Sequence, residues 1–454
     1  MLRANSPLRE MLGKPGCDFI EHAGEAIQRI LPHVEVGKWR ESDWASGNAK
    51  WANKRTEIRV TFAIGEKENS ASRSLKTSVR RRCIGGAKTK AKRTLDLREY
   101  DICRLIALRA SEVIHLADSC GSTASIQAIR DAFDEYVVAQ HIQAYHELNM
   151  SVSEVLEALH ILSEQSYENK ALTFGSILDP NPTAGGTSSQ FPRDFLGSKK
   201  YKALSDGFRT AYHISNKGGI LSFVDLDRFE RKSLSEKHYY PDWAEPMARA
   251  SRSGKCGVSL SRQGDILVFD KGTLRFTYRY GRWQYWNHAH LVNILRDRAR
   301  AQRVRPAILG RVVGSIYRAA LDVSFRRCGG LFVILHNRED LRNIVKVGDA
   351  IGDQKRNKAD ADFDAVIQQH TIQSLPRATA VELASLDGAV VLENSGRILA
   401  YGAVLQPKKA GRLQGTEGSR TKAAIGASNY GLAVKISADG EISVYHKGRA
   451  FIRM

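Results

Sequence analysis

Hydrophobic positions recur at helical spacing through residues 95–170. Ile102, Leu105, Ile106 and Ala110 share one face, continued by Val113, Ile114 and Ala117, then by Ile126, Ile129, Phe133, Val137 and Val138. Ser151-Val152-Ser153-Glu154 has the form of a capping box, with Val155, Leu156, Leu159 and Leu162 behind it. Ahead of these helices, residues 1–72 predict a small α+β unit. Ala26, Ile27, Ile30 and Leu31 mark a helix, and Glu57 to Ala63 alternates with period two, as a strand does. Past residue 193 the pattern turns to short apolar runs between glycine turns. Gly218 to Val224 predicts a buried strand. Gly264 to Phe269, Thr273 to Tyr278 and Trp283 to Trp286 predict a meander turning at Lys271-Gly272 and Gly281-Arg282.

Residues 288–327 return to helical periodicity through Leu291, Ile294, Leu295, Ile308, Val312, Val313 and Ile316. Gly329 to Leu335 predicts a buried strand behind a glycine pair. Helices follow around Phe363 to Ile367 and Ala378 to Leu386. A hairpin turning at Asn394-Ser395-Gly396 joins Asp387 to Leu392 with Arg397 to Leu405. Gly418 to Ser428 predicts a loop entering a helix, and a closing hairpin around Asp439-Gly440 pairs Ala433 to Ser437 with Ile442 to Tyr445. The expected architecture is an α/β C-terminal domain, a mixed sheet flanked by helices, preceded by a β-rich domain and a mainly helical N-terminal region. The expected divisions are a basic α+β/helical region at 1–175, a β-rich domain at 194–290, and a third domain at 291–454 that includes its leading helix. Residues 178–193, with Pro180, Pro182, Pro192, Gly185 and Gly186, make the best linker or long loop.

Composition narrows this picture. The 454 residues suit two or three domains, and 42% hydrophobic content suffices for packed cores. No apolar run approaches the roughly 18 residues that span a bilayer, and the N-terminus lacks a secretory core, which predicts a cytoplasmic protein without a membrane partner. Six scattered cysteines contain no Cys-x-x-Cys pair, which argues against a zinc ribbon or a disulfide framework. No histidine pair has His-Glu-x-x-His spacing, so His115, His141, His146 and His160 read as structural or surface residues.

The formal charge of +20 attracts polyanions. Nine Lys and Arg residues fall within 73–93, from Arg73 to Arg93, with no acid between them. Such a run reads either as a solvated basic loop or as a grip on nucleic-acid phosphates. Trp39, Trp44 and Trp51 stand among Lys38, Arg40, Lys50, Lys54 and Arg55. They either stack on bases or, more commonly, pack in a core. The aromatics of the meander likewise line a pocket or fill a small β core.

Two motifs in the last domain carry chemistry. Asp387 starts a strand in apolar surroundings, where a carboxylate is costly unless used or paired. Gly388 would let a ligand approach the backbone, with Ala389 beside it. Gly418 and Ser419 can present N–H groups at a helix start, with Arg420, Thr421 and Lys422 following. Together they predict a polyphosphate site beside a carboxylate able to hold the nucleotide's divalent metal.

The order of these pieces resembles the diadenylate cyclase family, whose catalytic domain is shared by DNA-integrity-scanning proteins and membrane-linked cyclic di-AMP synthases. There a Gly-Gly strand precedes Asp-Gly-Ala, then Gly-Thr-Arg-His-Arg-Ala-Ala, then a Ser-Glu and an acidic hairpin before Ile-Ser. The resemblance covers about residues 326–454. It implies joining of two ATP into cyclic di-AMP with release of two pyrophosphates, by two facing domains of a homo-oligomer. It further implies Mg²⁺ or Mn²⁺ held at Asp387, Asp387 as the catalytic residue that helps activate the ribose 3′-hydroxyl, and Ser419, Arg420 and Lys422 on the triphosphate. The β-rich domain would then be a sensor. Thr421 stands where the family has His, Lys422 where it has Arg, and Asn429 where it has Glu; Ser437-Ala438-Asp439-Gly440 replaces the acidic hairpin. Asp439 or Glu441 is a further candidate metal ligand. Three readings follow: a diadenylate cyclase, a nucleotide-binding sensor without catalysis, and a nucleic-acid-binding protein led by its basic N-terminal half.

Overall fold

The computed structural model describes residues 20–32, 34–43, 48–52, 57–64, 73–81, 97–119, 131–181, 186–195, 204–229, 238–300, 304–353, 358–408 and 418–454. The chain forms two compact units. The first is Met1–Ser233 with Ala244–Trp286; the second is Leu234–Trp243 with Asn287–Met454. Both are built on sheets flanked by helices.

The first unit carries a small antiparallel sheet of β1 (Val34–Val36), β2 (Arg40–Asp43), β3 (Asn48–Ala52), β4 (Glu57–Ile64) and β5 (Arg73–Arg81). Arg73–Arg81 is thus a strand, not the loop expected for 73–93: it pairs with β4 along its length. The rest of that run, 82–93, lies outside the described residues, as do Trp44, Ile126, Ile129, Pro182 and Gly185. Trp39 packs against the core formed by the 20–30 helix and its neighbours. Helices Leu97–Ser119, Phe133–Tyr145 and Val152–Ser163 fall where the periodicity put them. The Ser151 hydroxyl accepts from Glu154 N at 3.3 Å, the capping contact its sequence promised.

A seven-stranded sheet follows, after a two-stranded ribbon of β6 (Ser166–Tyr167) and β7 (Lys170–Ala171). Its strands are β8 (Phe174–Leu178), β9 (Thr210–Ile214), β10 (Ile220–Asp225), β11 (Cys256–Leu260), β12 (Ile266–Asp270), β13 (Thr273–Arg279) and β14 (Arg282–Tyr285), in the order β10-β9-β8-β11-β12-β13-β14. The sheet therefore starts at Phe174, ahead of residue 194 where the β-rich domain was expected to begin, and its first strand ends at Leu178, the first residue of the stretch expected to be linker or long loop. Residues 179–209 connect the parallel neighbours β8 and β9, so that stretch is part of a long loop within one sheet and not a linker between domains. The period-two cue is absent from Phe174-Gly175-Ser176-Ile177-Leu178 because both faces are buried. β10, expected to be buried, is a half-exposed edge strand. Lys271-Gly272 and Tyr280-Gly281 are two-residue hairpin turns with both φ values positive, the geometry that matches strand twist. Trp283, Tyr285 and Trp286 are buried core residues. His141 and His146 are buried too; burial holds His141 down to about 3, and it packs against Phe276, while His146 Nδ1 lies 3.0 Å from the Gly254 carbonyl oxygen, so both are structural.

The second unit is a three-layer α/β/α arrangement. Helices His288–Ala299 and Pro306–Phe325 lead into β15 (Gly330–Leu335), buried over all six residues. β16 (Ala389–Glu393) runs parallel to β15; β17 (Ile398–Ala403) closes a hairpin on β16. β18 (Gly431–Ile436), β19 (Ile442–His446) and β20 (Arg449–Arg453) continue antiparallel on the other side, giving β17-β16-β15-β18-β19-β20. One face packs Leu331, Val333, Ala389, Val391 and Ala433 under helix Ser419–Ala427. Helices Pro306–Phe325 and Arg377–Ser385 pack against each other and against β15. Among the described residues, no helix is long and apolar enough to cross a membrane.

Candidate nucleotide-phosphate site

The sheet register brings the two motifs together. β15 and β16 are parallel with Phe332 opposite Val390, so their leading residues Gly329-Gly330 and Asp387-Gly388 lie side by side. β18 is antiparallel to β15 with Gly330 opposite Ile436, so its far end, with Ser437 to Glu441, reaches the same edge. Helix Ser419–Ala427 precedes β18 and runs back over the sheet, which returns its first turn to that edge as well.

The glycine pair lets two layers close there. A Cβ on Gly329 would come within 2.7 Å of Arg420 Cζ, so the guanidinium sits where a side chain would be. A Cβ on Gly330, on the opposite face, would reach 2.9 Å from the Ala384 carbonyl oxygen and 3.3 Å from Val323 Cγ1. One glycine seats Arg420; the next admits the other helical layer. The seat at Gly329 is the part of the site that motif reading missed.

Gly388 has a different reason to be glycine. Its φ is +122°, and a Cβ would overlap the Gly402 carbonyl and lie 2.7 Å from Ala403 N. The close approach expected of a ligand is made by the chain's own backbone. Asp387 is exposed rather than set in apolar surroundings, so no burial cost attaches to it. Among the described residues, no hydrogen bond or ion pair engages its carboxylate. Ala389 is buried in β16 and belongs to the core.

Gly418 is the N-cap of the 419–427 helix and supplies no side-chain cap; its first turn holds no acid. Lys422 N closes the first helical bond, to the Gly418 carbonyl at 3.1 Å. The N–H groups of Ser419, Arg420 and Thr421 therefore have no intrahelical acceptor. Arg420 and Thr421 are half-exposed, Ser419 and Lys422 exposed. Two cations thus stand at the positive end of a helix dipole, an arrangement that disfavours itself until an anion arrives.

Asp439 lies in the β18–β19 turn, separated from β16 by two strand spacings, about 10 Å. Its carboxylate accepts from the Ser437 hydroxyl and from Glu441 N at 3.4 Å; these bonds, the Ser437 one foremost, hold it below the usual carboxylate range. It is engaged in shaping its own turn. Glu441 is likewise engaged, accepting from the Ser443 hydroxyl at 2.6 Å. Among the described residues, no three His, Cys, Asp or Glu side chains are grouped to hold a metal. A Mg²⁺ that kept its waters would need only a carboxylate and the phosphates of a nucleotide, which Asp387 fits.

No family model matches the chain, and no curated protein matches it. Among solved structures, a double-cysteine variant of DacA from Staphylococcus aureus is similar to 32% of this chain over 87% of its own, at 19% identity and a TM-score of 0.23. A hypothetical membrane spanning protein from Bacillus cereus is similar to 37% of this chain over 76% of its own, at 19% identity and a TM-score of 0.24.

Proposed function

We propose that the second unit binds a nucleoside triphosphate at the sheet edge where Asp387 meets the start of the 419–427 helix, and that it condenses two ATP into cyclic di-AMP. The observation that carries the binding is the bare helix start. Three N–H groups without intrahelical acceptors and two cations, Arg420 and Lys422, surround a position with no acid in the first turn. Phosphate oxygens supply the missing charge and acceptors. Arg420, seated in the gap left by Gly329, is held at the same edge as the Asp387 carboxylate.

The reaction follows from the resemblance in motif order. The 3′-hydroxyl of one ATP attacks the α-phosphate of the other; the new O3′–P bond forms as the bond to the pyrophosphate bridging oxygen breaks. The same step in the other direction closes the ring and frees the second pyrophosphate. Asp387 would take part in removing the hydroxyl proton, and Arg420 and Lys422 would hold the triphosphate in line. A divalent Mg²⁺ or Mn²⁺ held by Asp387 and the phosphates would offset charge on the phosphoryl oxygens.

A second reading, a nucleotide sensor without catalysis, is favoured by one observation: Asp439 and Glu441 are tied into their own turn, which leaves Asp387 as the sole carboxylate among the motif residues that no described residue engages. One experiment separates the two. The purified chain is incubated with ATP and Mg²⁺ or Mn²⁺ and the products are resolved. Cyclic di-AMP that disappears in Asp387→Ala is the expected result. Saturable ATP binding with no product would overturn the cyclase and leave the sensor.

A further inference from the structure

Leu234–Trp243 belongs to the second unit, although the chain on either side of it belongs to the first. Its described part, 238–243, is a strap fastened at nearly every residue. Tyr239 stacks on His288 at 5.2 Å and meets Tyr317 edge-on at 5.3 Å; His288 Nδ1 and the Tyr317 hydroxyl are 2.9 Å apart. The Tyr240 carbonyl accepts from Arg377 Nη2 at 2.6 Å, and its ring lies 5.3 Å from that guanidinium. Asp242 N donates to Asp322 Oδ1 at 2.8 Å, and Trp243 packs edge-on against Phe325 at 6.5 Å. At the centre is a two-pronged ion pair: Arg377 Nε donates to Asp322 Oδ2 at 2.6 Å and Nη2 to Oδ1 at 2.7 Å.

This pair is expensive where it stands. Asp322 is 2% exposed, in the last turn of helix Pro306–Phe325, where the dipole opposes a negative charge. Arg377 opens helix Arg377–Ser385 behind an N-cap, Pro376, that makes no capping bond, and there the dipole opposes a positive charge. Burial pushes the Asp322 carboxyl above its usual range despite Arg377. Helix stability therefore does not account for the pair. What its two members share is the backbone of the strap, at Tyr240 and Asp242. The helix that Arg377 heads runs nine residues, about 13 Å at 1.5 Å each, and leads into Leu386-Asp387.

We propose that Arg377 and Asp322 are positioning residues. They clamp the 238–243 strap to the head of the 377–385 helix, whose other end lies two residues ahead of Asp387, so the state of the strap, through which the first unit's chain passes, sets how firmly the Asp387-Gly388 corner is held. The functional consequence rests on the nucleotide reading of Asp387; the mechanical coupling does not.

Hydrogen exchange on the full chain tests it. In Arg377→Met, amides of 385–390 are expected to exchange at least ten-fold faster, with β18–β20 unchanged; Arg377→Lys, which keeps the charge but loses the fork, falls between. Tyr239→Ala loosens the strap without touching the pair and should give the same local pattern. Unaltered protection at 385–390 in both Arg377→Met and Tyr239→Ala, or a rise spread evenly over the unit, overturns the proposal. If the local pattern appears while Asp387→Ala leaves ATP binding untouched, the coupling stands and the nucleotide reading of Asp387 falls.

Discussion

A methyl group on Gly329 would take the space of the Arg420 guanidinium, whereas one on Gly388 would collide with the backbone of Gly402 and Ala403. Equivalent substitutions should therefore separate two effects. Gly329→Ala is expected to displace a flexible side-chain end, weakening ATP binding on the order of ten-fold with little change in the urea midpoint. Gly388→Ala meets both a positive φ and rigid backbone, and should cost about 2 kcal/mol or more of stability. Equal destabilisation by the two would contradict this division of roles. What the motif order made legible was that Asp387 and the start of the 419–427 helix belong together: the strand register brings both to one sheet edge, although Asp387 is exposed and not in the apolar setting expected for it. The Gly329 seat was not legible, because a glycine's reason lies in what occupies its missing side chain, and that partner is some ninety residues away in sequence.

The same logic extends to elements. The helix start at Gly418 was readable from Gly-Ser ahead of a run of good helix formers, and the hairpin at Lys271-Gly272 from its glycine; the next turn is Tyr280-Gly281, one residue before the expected Gly281-Arg282, because Arg282 already pairs with Arg279. Lys447-Gly448 makes a third such turn with the same Lys-Gly dipeptide and leads into β20. β8 was illegible for a physical reason: a strand buried on both faces has no alternation. Its partner β9 is approached by a turn built on Asp206. Burial pushes that carboxyl up, but bonds from Phe208 N, Arg209 N and Thr210 N at 2.9, 2.7 and 3.0 Å outweigh it and hold it below the usual range. A depressed folded-state value means stability that is present above the ordinary carboxylate range and lost as pH falls through the folded value. The gap in urea stability between the wild type and Asp206→Ala should be full at neutral pH and close below about pH 4. A gap that stayed constant to acid pH would show that the turn does not depend on the charge.

For the whole molecule, the class of fold was the most legible property. Period 3.6 followed by short apolar runs and glycine turns gave helices and mixed sheets, and the structure has both. The path of the chain was not legible. Nothing in Tyr239-Tyr240-Pro241-Asp242-Trp243 distinguishes a strap of the second unit from a connection within the first, because the contacts that assign it are with Asp322, His288, Tyr317 and Arg377, far along the sequence. The net charge of +20 is likewise silent on location: it draws any polyanion toward the protein, and the helix start at Gly418 gives two of those charges a geometry. That geometry is the central claim, and calorimetric titration of the full chain with ATP and Mg²⁺ addresses it most directly. Saturable binding is expected, weakened at least ten-fold in Arg420→Ala and further in the double variant with Lys422→Ala. Binding of equal strength in the wild type and the double variant would contradict the account.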